Sequence, residues 1–247
     1  MIAIFKKDFT SYFTSTLGYI VLGLYVMFSG FFFWSMCLVS GRDELLGVIN
    51  NMSYATLFLV PLITMKSFAE EKRQKTDQAL FTAPVRTVEI VCGKYLSAVA
   101  LYFICTMGYF VYAMVLSVCV ADVAIPWGHF MSGILGTFLM GASLLAINLF
   151  YSSLTEFQII AAVLGLGTGL LIMLYDSILG ALQNFILTIS KSTEYYEFLI
   201  LDKLSLQGHY TNLIKGVVNP ADIIFYLSFI ALFLFLTGRV LDKKRYE

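Results

Sequence analysis

Charge is scarce in this sequence. Only 13% of its 247 residues are charged and 59% are hydrophobic, whereas soluble domains carry roughly 25% charged residues. Basic and acidic residues are equal in number, 16 of each, so the overall balance argues against nucleic acid as a partner. These deficits exclude an ordinary soluble domain and predict a polytopic membrane protein.

Reactive and metal-binding patterns are missing too. The four cysteines form no C-x-x-C pair, and the two histidines, His129 and His209, lie far apart without metal or triad spacing. There is no G-x-x-x-x-G-K-[ST] segment, so the chain cannot hold a nucleotide as a P-loop does, and there is no H-E-x-x-H segment. The sequence therefore predicts no catalytic site, no metal site and no cofactor bound by this chain.

What the sequence does contain is long apolar runs. A membrane-spanning helix needs about 20 mostly apolar residues, and six segments meet that requirement. We predict an all-α integral membrane protein, a single transmembrane domain over residues 1–247. The asparagine and proline at 219 and 220 suit the N-cap and first position of the last helix. The six predicted spans are residues 18–39, 46–65, 87–120, 127–151, 157–175 and 221–240.

Three further segments are too polar to span. Residues 1–15 place aromatic side chains and lysines on different helical faces, which predicts an N-terminal helix lying in the membrane interface; a plain basic flank of the first span is the alternative. Residues 66–86 form a charged segment between spans two and three. Residues 176–218 repeat apolar side chains at helical spacing, which predicts a helical cap between spans five and six, with a second short helix around 194–204.

Lysine and arginine placement predicts the orientation. With six spans, 12 of the 16 basic residues fall on the side that holds both termini and residues 66–86. We therefore expect both termini and this charged segment in the cytoplasm, and the 176–218 cap on the extracytoplasmic side. The first turns of span three, with Glu89 and Lys94, are expected to project into water. The basic residues on the opposite side are Arg42, Lys191, Lys203 and Lys215.

No charged residue falls at the middle of a predicted span. Ion-coupled carriers usually need an intramembrane charge, so this absence argues against that class, although a sodium site built from backbone carbonyls would escape the test. Energy for transport would then come from another protein, and residues 66–86 are the obvious surface to receive it.

The charged segment is predicted to fold as a short helix over residues 67–82. Glu70 and Glu71 lie in its first turns, where the helix dipole favours negative charge, and Pro84 ends it. Large apolar side chains in this otherwise aqueous segment could seat it in a partner's groove; these are Phe68, Leu80 and Phe81. The alternative is a solvated basic loop that only fixes the topology.

The same segment resembles the coupling helix of ABC-2 type transporter permeases. The resemblance rests on S-F-A-E-E-K-R at 67–73, followed by Thr76, Leu80, Pro84 and the G-K pair at 93–94. It extends over essentially the whole chain to the branch named for gliding motility, through F-K-K-D at 5–8, H-Y at 209–210 and the basic C-terminal tail. Two positions differ, because Lys75 replaces the usual glycine and residue 77 is the shorter acidic residue, aspartate.

The resemblance implies a permease subunit of an exporter in the bacterial inner membrane, working with separate cytoplasmic ATPase subunits that bind ATP and Mg. It also implies a second permease subunit, the same or homologous, and contact with membrane lipids; an extracytoplasmic accessory protein could join them. The residues it assigns to ATPase docking are Phe68, Glu70, Glu71, Lys72, Arg73, Thr76, Leu80, Phe81 and Pro84. Those it assigns to the pathway or dimer interface are Pro61, Gly165 and Gly169, for which a kink and ordinary packing are the alternative.

Two other functions stay open at this point. The chain could be a membrane anchor or assembly protein that recruits a cytoplasmic partner, or an ion-coupled secondary carrier. The apolar and aromatic composition is compatible with a lipid, lipopeptide, hydrophobic peptide or drug as substrate, and does not choose among them.

Overall fold

The computed structural model describes residues 1–76, 85–119, 125–189 and 205–246. This part of the chain is almost entirely helical and contains no strand. Six of its helices are long and apolar enough to cross a membrane, which confirms the predicted fold class at the level of an all-helical protein with six candidate spans.

The helices follow the predicted order. The first span ends in a π-helical turn, Trp34–Leu38, and the second contains Pro61. The helices are α1 (Ile2–Thr14), α2 (Thr16–Phe33), α3 (Leu45–Thr64), α4 (Ala69–Arg73), α5 (Thr87–Cys119), α6 (Trp127–Leu154), α7 (Gln158–Ile189), α8 (Leu206–Ile214) and α9 (Pro220–Tyr246).

The fifth candidate span is Gln158–Tyr175 and ends where the sequence predicts. Helix α7 continues beyond it to Ile189, in agreement with the predicted helical spacing of apolar residues after 176. The short helix predicted around 194–204 lies outside the described residues. The described residues also contain α8 at Leu206–Ile214, which the sequence did not predict, and the 176–218 cap as a unit stays a prediction.

The start of the last helix agrees with the prediction. The Asn219 side-chain oxygen accepts a hydrogen bond from the backbone N–H of Ala221 at 3.1 Å, which satisfies one of the free donors at the helix start.

Helix α6 is the centre of the bundle. It packs against α3, α5, α7, α8 and α9, and 83% of its most apolar stretch is buried in the protein, compared with 17% for α7 and 22% for α9. Small residues such as Gly133, Gly141 and Ser143 occupy its buried surface, and small residues let neighbouring helices approach closely in a membrane.

Two buried tyrosines of α5 bind this helix to α6. Tyr102 donates a hydrogen bond to the carbonyl of Thr137 at 3.1 Å, and Tyr95 donates to that of Ala142 at 3.1 Å. A phenol buried among apolar groups must find such a partner. The tyrosines therefore join helices by polar contacts that an apolar pattern in the sequence does not reveal.

The structure brings Pro61, Gly165 and Gly169 together inside one chain. A Cβ added at Gly165 would lie 1.6 Å from the Asn148 side-chain oxygen and 3.3 Å from Pro61, and one at Gly169 would lie 3.3 Å from Leu57. These glycines therefore let α7 approach α3 and α6. These contacts agree with the alternative of ordinary packing, and a role of the three residues in a pathway or dimer interface stays a prediction.

We predict that Gly165→Ala destabilises the protein by about 1–3 kcal/mol, the usual cost of overpacking a tight contact. Gly167→Ala is the matched control, because no neighbouring atom lies within 4 Å of its added Cβ. Unfolding titrations in mixed micelles would measure both. Combining Gly165→Ala with Asn148→Ala should recover stability; equal stabilities of the two single variants would contradict the contact.

Candidate functional site

Charged residues gather at one end of the bundle. We call this the charged end: residues 1–15, 65–76, 85–94 and 239–246. The N-terminal amine lies 3.9 Å from Glu89, and Arg245 donates a hydrogen bond to the carbonyl of Val85 at 3.0 Å. Both termini therefore lie beside the start of α5, together with the charged segment that follows α3.

Lys94 is the centre of this end. Its side chain is only 2% exposed, and its ammonium lies 2.9 Å from a Glu71 carboxylate oxygen and 3.2 Å from one of Asp8. It also donates to the carbonyl of Ser67 at 2.9 Å and lies 5.1 Å above the ring of Phe68. A buried ammonium is tolerated when it is paired and hydrogen-bonded in this way.

The position of Lys94 corrects the sequence prediction. We expected the first turns of α5 to project into water, but α1 and α4 cover the lysine. Glu71 is 16% exposed and also pairs with Lys7 at 3.2 Å. The cluster therefore contains the cations Lys7 and Lys94 and the carboxylates Asp8 and Glu71. Four charges from three separate segments of the chain thus neutralise one another.

Helix α1 can reach the cluster because Gly93 leaves room for it. A Cβ at Gly93 would lie 3.1 Å from Ile4 and 3.2 Å from the carbonyl of Met1. The Tyr12 hydroxyl donates to the carbonyl of Ile63 at 3.1 Å. Burial, and secondarily the Asp8 carboxylate, raises the pKa of Tyr12 above its usual range, so this phenol stays a neutral donor.

The predicted aromatic face of α1 is present. Phe5, Phe9 and Phe13 line one side of the helix: the rings of Phe5 and Phe9 stack with centroids 5.6 Å apart, and those of Phe9 and Phe13 meet edge to face at 5.2 Å. The helix itself is therefore as predicted, and its position in the membrane interface stays a prediction.

Helix α4 is anchored to the end of α6. The Ser152 hydroxyl accepts hydrogen bonds from the backbone N–H groups of Phe68 and Ala69, each at 3.1 Å. In return, the Lys72 ammonium donates to the carbonyl of Ser153, at a helix C-terminus where unpaired carbonyls favour a cation. The start of α4 and the end of α6 therefore satisfy each other's free backbone groups.

This anchoring changes the expected docking surface. Phe68 and Lys72 are 3% and 6% exposed, so Phe68 fills a pocket of its own chain and not the groove of a partner, and Lys72 points at α6. Glu71 faces Lys94. Among the candidate docking residues that the structure describes, Arg73 and Thr76 remain at the surface and Glu70 is partly exposed.

Helix α4 is shorter than the predicted 67–82 helix. It covers the five residues Ala69–Arg73, and the chain then turns through Lys75, whose φ of 55° is left-handed. That conformation favours glycine, which is the residue the resemblance leads one to expect there. Leu80, Phe81 and Pro84 lie outside the described residues.

A cleft of about 380 Å³ opens between α1 and α4. Both cations and carboxylates line it, and Lys7, Lys66 and Lys94 each form ion pairs with one or two of Asp8, Glu70 and Glu71. No group of metal-binding side chains occurs among the residues the structure describes. The charges of the cleft are therefore satisfied largely by one another.

The opposite end of the bundle holds a second polar contact that the sequence did not predict. His209 Nδ1 lies 2.5 Å from an Asp222 carboxylate oxygen, and its ring stacks on Phe225 at 4.2 Å. The contact ties α8 to the first turn of α9. Burial raises the pKa of the neighbouring Tyr210 to about 12. The spacing of 13 residues between His209 and Asp222 gave no recognisable signal.

We predict that Lys94→Met lowers the free energy of unfolding by about 3 kcal/mol, because it leaves Asp8 and Glu71 partly buried with one cation fewer. Lys66→Met is the control. Its pair with Glu70 is long, 3.9 Å, and more exposed, so the loss should stay within about 1 kcal/mol. Chemical unfolding in micelles measures both, and equal losses would show that the Lys94 cluster contributes no more than a surface pair.

Comparison with known proteins agrees with the resemblance at the family level. A family model described as ABC-2 family transporter protein matches residues 3–206, which include all but the first residue of α1, the described charged segment and five of the six spans. A search of curated proteins finds no match. The chain is a transmembrane permease that belongs to the ABC-2 transporter family.

Proposed function

We propose that this chain is the membrane-spanning subunit of an ATP-driven exporter, and that a separate ATPase acts on it through α4. The proposal depends on the way in which α4 is attached to the rest of the protein. One side of this short helix is fixed to α1, α5 and α6, while Arg73 and residues 74–76 are exposed.

The ion cluster supplies the link from the surface to the spans. A force on α4 reaches α5 through Glu71 and Lys94, and reaches α6 through Ser152. Buried charge pairs with short contacts are costly to separate, so α4 and the start of α5 would move as one body. Such rigid-body motion, biased by the nucleotide state of a partner, is a common switching mechanism. ATP and Mg would be bound by the ATPase.

The proposed orientation places the charged end in the cytoplasm of a bacterium, with both termini there. It is supported by the concentration of lysine and arginine at this end, since cytoplasmic loops carry an excess of both. The His209–Asp222 contact would then lie on the extracytoplasmic side, where an accessory protein could reach it.

The proposed transporter contains two permease subunits, the same or homologous. Helix α7 offers a surface for the second one, because apolar side chains such as Ile159, Val163 and Leu171 are exposed on it, whereas its glycine face is occupied. The assignment to the gliding-motility branch and the class of substrate rest on the resemblance and on composition alone.

We predict that Arg73→Glu weakens binding of the ATPase encoded by the neighbouring gene at least tenfold, equivalent to about 1.4 kcal/mol, without changing the stability of the permease. Arg73 is exposed and belongs to no ion pair among the described residues. Arg42→Glu, an identical charge change at the opposite end, should leave binding unchanged. Pull-down titration and ATPase stimulation measure the effect.

Unchanged affinity in Arg73→Glu would contradict docking at α4. Proteoliposomes test the transport function separately. ATP-dependent movement of a substrate would support the exporter, binding of the ATPase without any transport would favour an anchor, and transport that follows an ion gradient without ATPase would favour a secondary carrier.

A further inference from the structure

A second groove lies at the charged end, on the outer surface of the bundle between α5 and α9. Its volume is about 410 Å³. Val88 and Val91 of α5 form one wall, and Leu234 and Phe235 of α9 form the other. At Gly238 the groove is open, because an added Cβ would meet no neighbouring atom within 4 Å. The groove is therefore lined mainly by apolar side chains, and the described residues leave it unfilled.

The groove lies where the hydrocarbon of a bilayer meets the headgroups. Arg239 comes nineteen residues after Pro220, the first residue of α9. At 1.5 Å per residue this is about 29 Å of helix, close to the hydrocarbon thickness of about 30 Å. When Pro220 is set at the headgroups of the opposite leaflet, this length puts Arg239 at headgroup level and the wall residues Leu234 and Phe235 within the hydrocarbon.

The mouth of the groove has an excess of positive charge. Arg239 is exposed and lies 5.2 Å above the ring of Phe235, and no carboxylate of the described residues is within ion-pair distance of it. Asp242 also lines the mouth, but the last turns of α9 add three more cations at 243–245. The net charge at this level favours an anion.

We propose that this groove binds one anionic phospholipid from the leaflet at the charged end, with the phosphate at Arg239 and an acyl chain between the walls formed by α5 and α9. The apolar walls match a hydrocarbon chain, and the cations at the mouth match the headgroup. Bound there, the lipid braces α9 against the start of α5. The proposal depends on the membrane position of the helices and not on ATPase docking.

The test uses the full chain, purified in detergent and freed of lipid, then titrated with phosphatidylglycerol or phosphatidylcholine of identical acyl chains and followed by native mass spectrometry. One phosphatidylglycerol molecule should bind preferentially. Arg239→Gln should reduce that preference about fivefold, equivalent to about 1 kcal/mol for one cation near an anionic surface. Gly238→Leu fills the groove and should weaken binding of both lipids.

Arg42→Gln is the control for loss of a positive charge, because Arg42 is exposed at the opposite end and should leave the preference unchanged. Equal binding of the two lipids by the wild-type chain would overturn the proposal, as would an undiminished preference in Arg239→Gln. A wild-type dimer that is lost in Gly238→Leu would also overturn it, since a second copy would then be the occupant. If Arg239→Gln fails to fold, the wild-type comparison of headgroups and Gly238→Leu decide the question.

Discussion

The arrangement of the charged end depends on one buried ammonium. Lys94 has almost no contact with solvent, so its charge must be neutralised and its donors satisfied within the protein. The partners come from α1, through Asp8, and from the segment around α4, through Glu71. If either segment moved away, the Lys94 ammonium would be exposed to solvent or would lose a carboxylate partner. This requirement fixes α1 against α5 although 86 residues separate Asp8 from Lys94.

The rest of the bundle follows a different constraint. Between helices in lipid there is no hydrophobic driving force, so close packing and polar contacts hold them together. The small residues of α6 allow close packing. Tyr95 and Tyr102 of α5 supply polar contacts, because each donates a hydrogen bond to a backbone carbonyl of α6. The contact of Gly165 with Asn148 is a further case of close packing, since the Asn148 side-chain amide fills the space that a Cβ at Gly165 would need.

The sequence was sufficient for features that depend on local pattern. The six spans follow from apolar runs, and the start of α9 follows from Asn219, because a cap is satisfied within three residues. It was not sufficient for burial created by distant segments. Lys94 looked exposed because nothing beside it in sequence shows that α1 covers it, and Phe68 looked like a docking residue because its pocket is formed by other helices. The sequence shows that Lys75 stands where the resemblance leads one to expect glycine. Only the structure shows the consequence, which is that a lysine adopts a left-handed backbone conformation that favours glycine.

Buried cations attach α4 on both of its sides, and this bears on how the proposed mechanism would proceed. Toward α5 and α1 the helix is held by the ion cluster of Lys94, whose separation costs several kcal/mol. Toward α6 it is held by two backbone donors on Ser152 and by the Lys72 ammonium, which is nearly as buried as Lys94. Neutral hydrogen bonds are worth about 1 kcal/mol each and bonds to a charged group about 1.5–3 kcal/mol, so the two attachments are similar in strength. A push on α4 would therefore reach α1, the start of α5 and the end of α6 together, and all three would belong to the part of the permease that moves with α4.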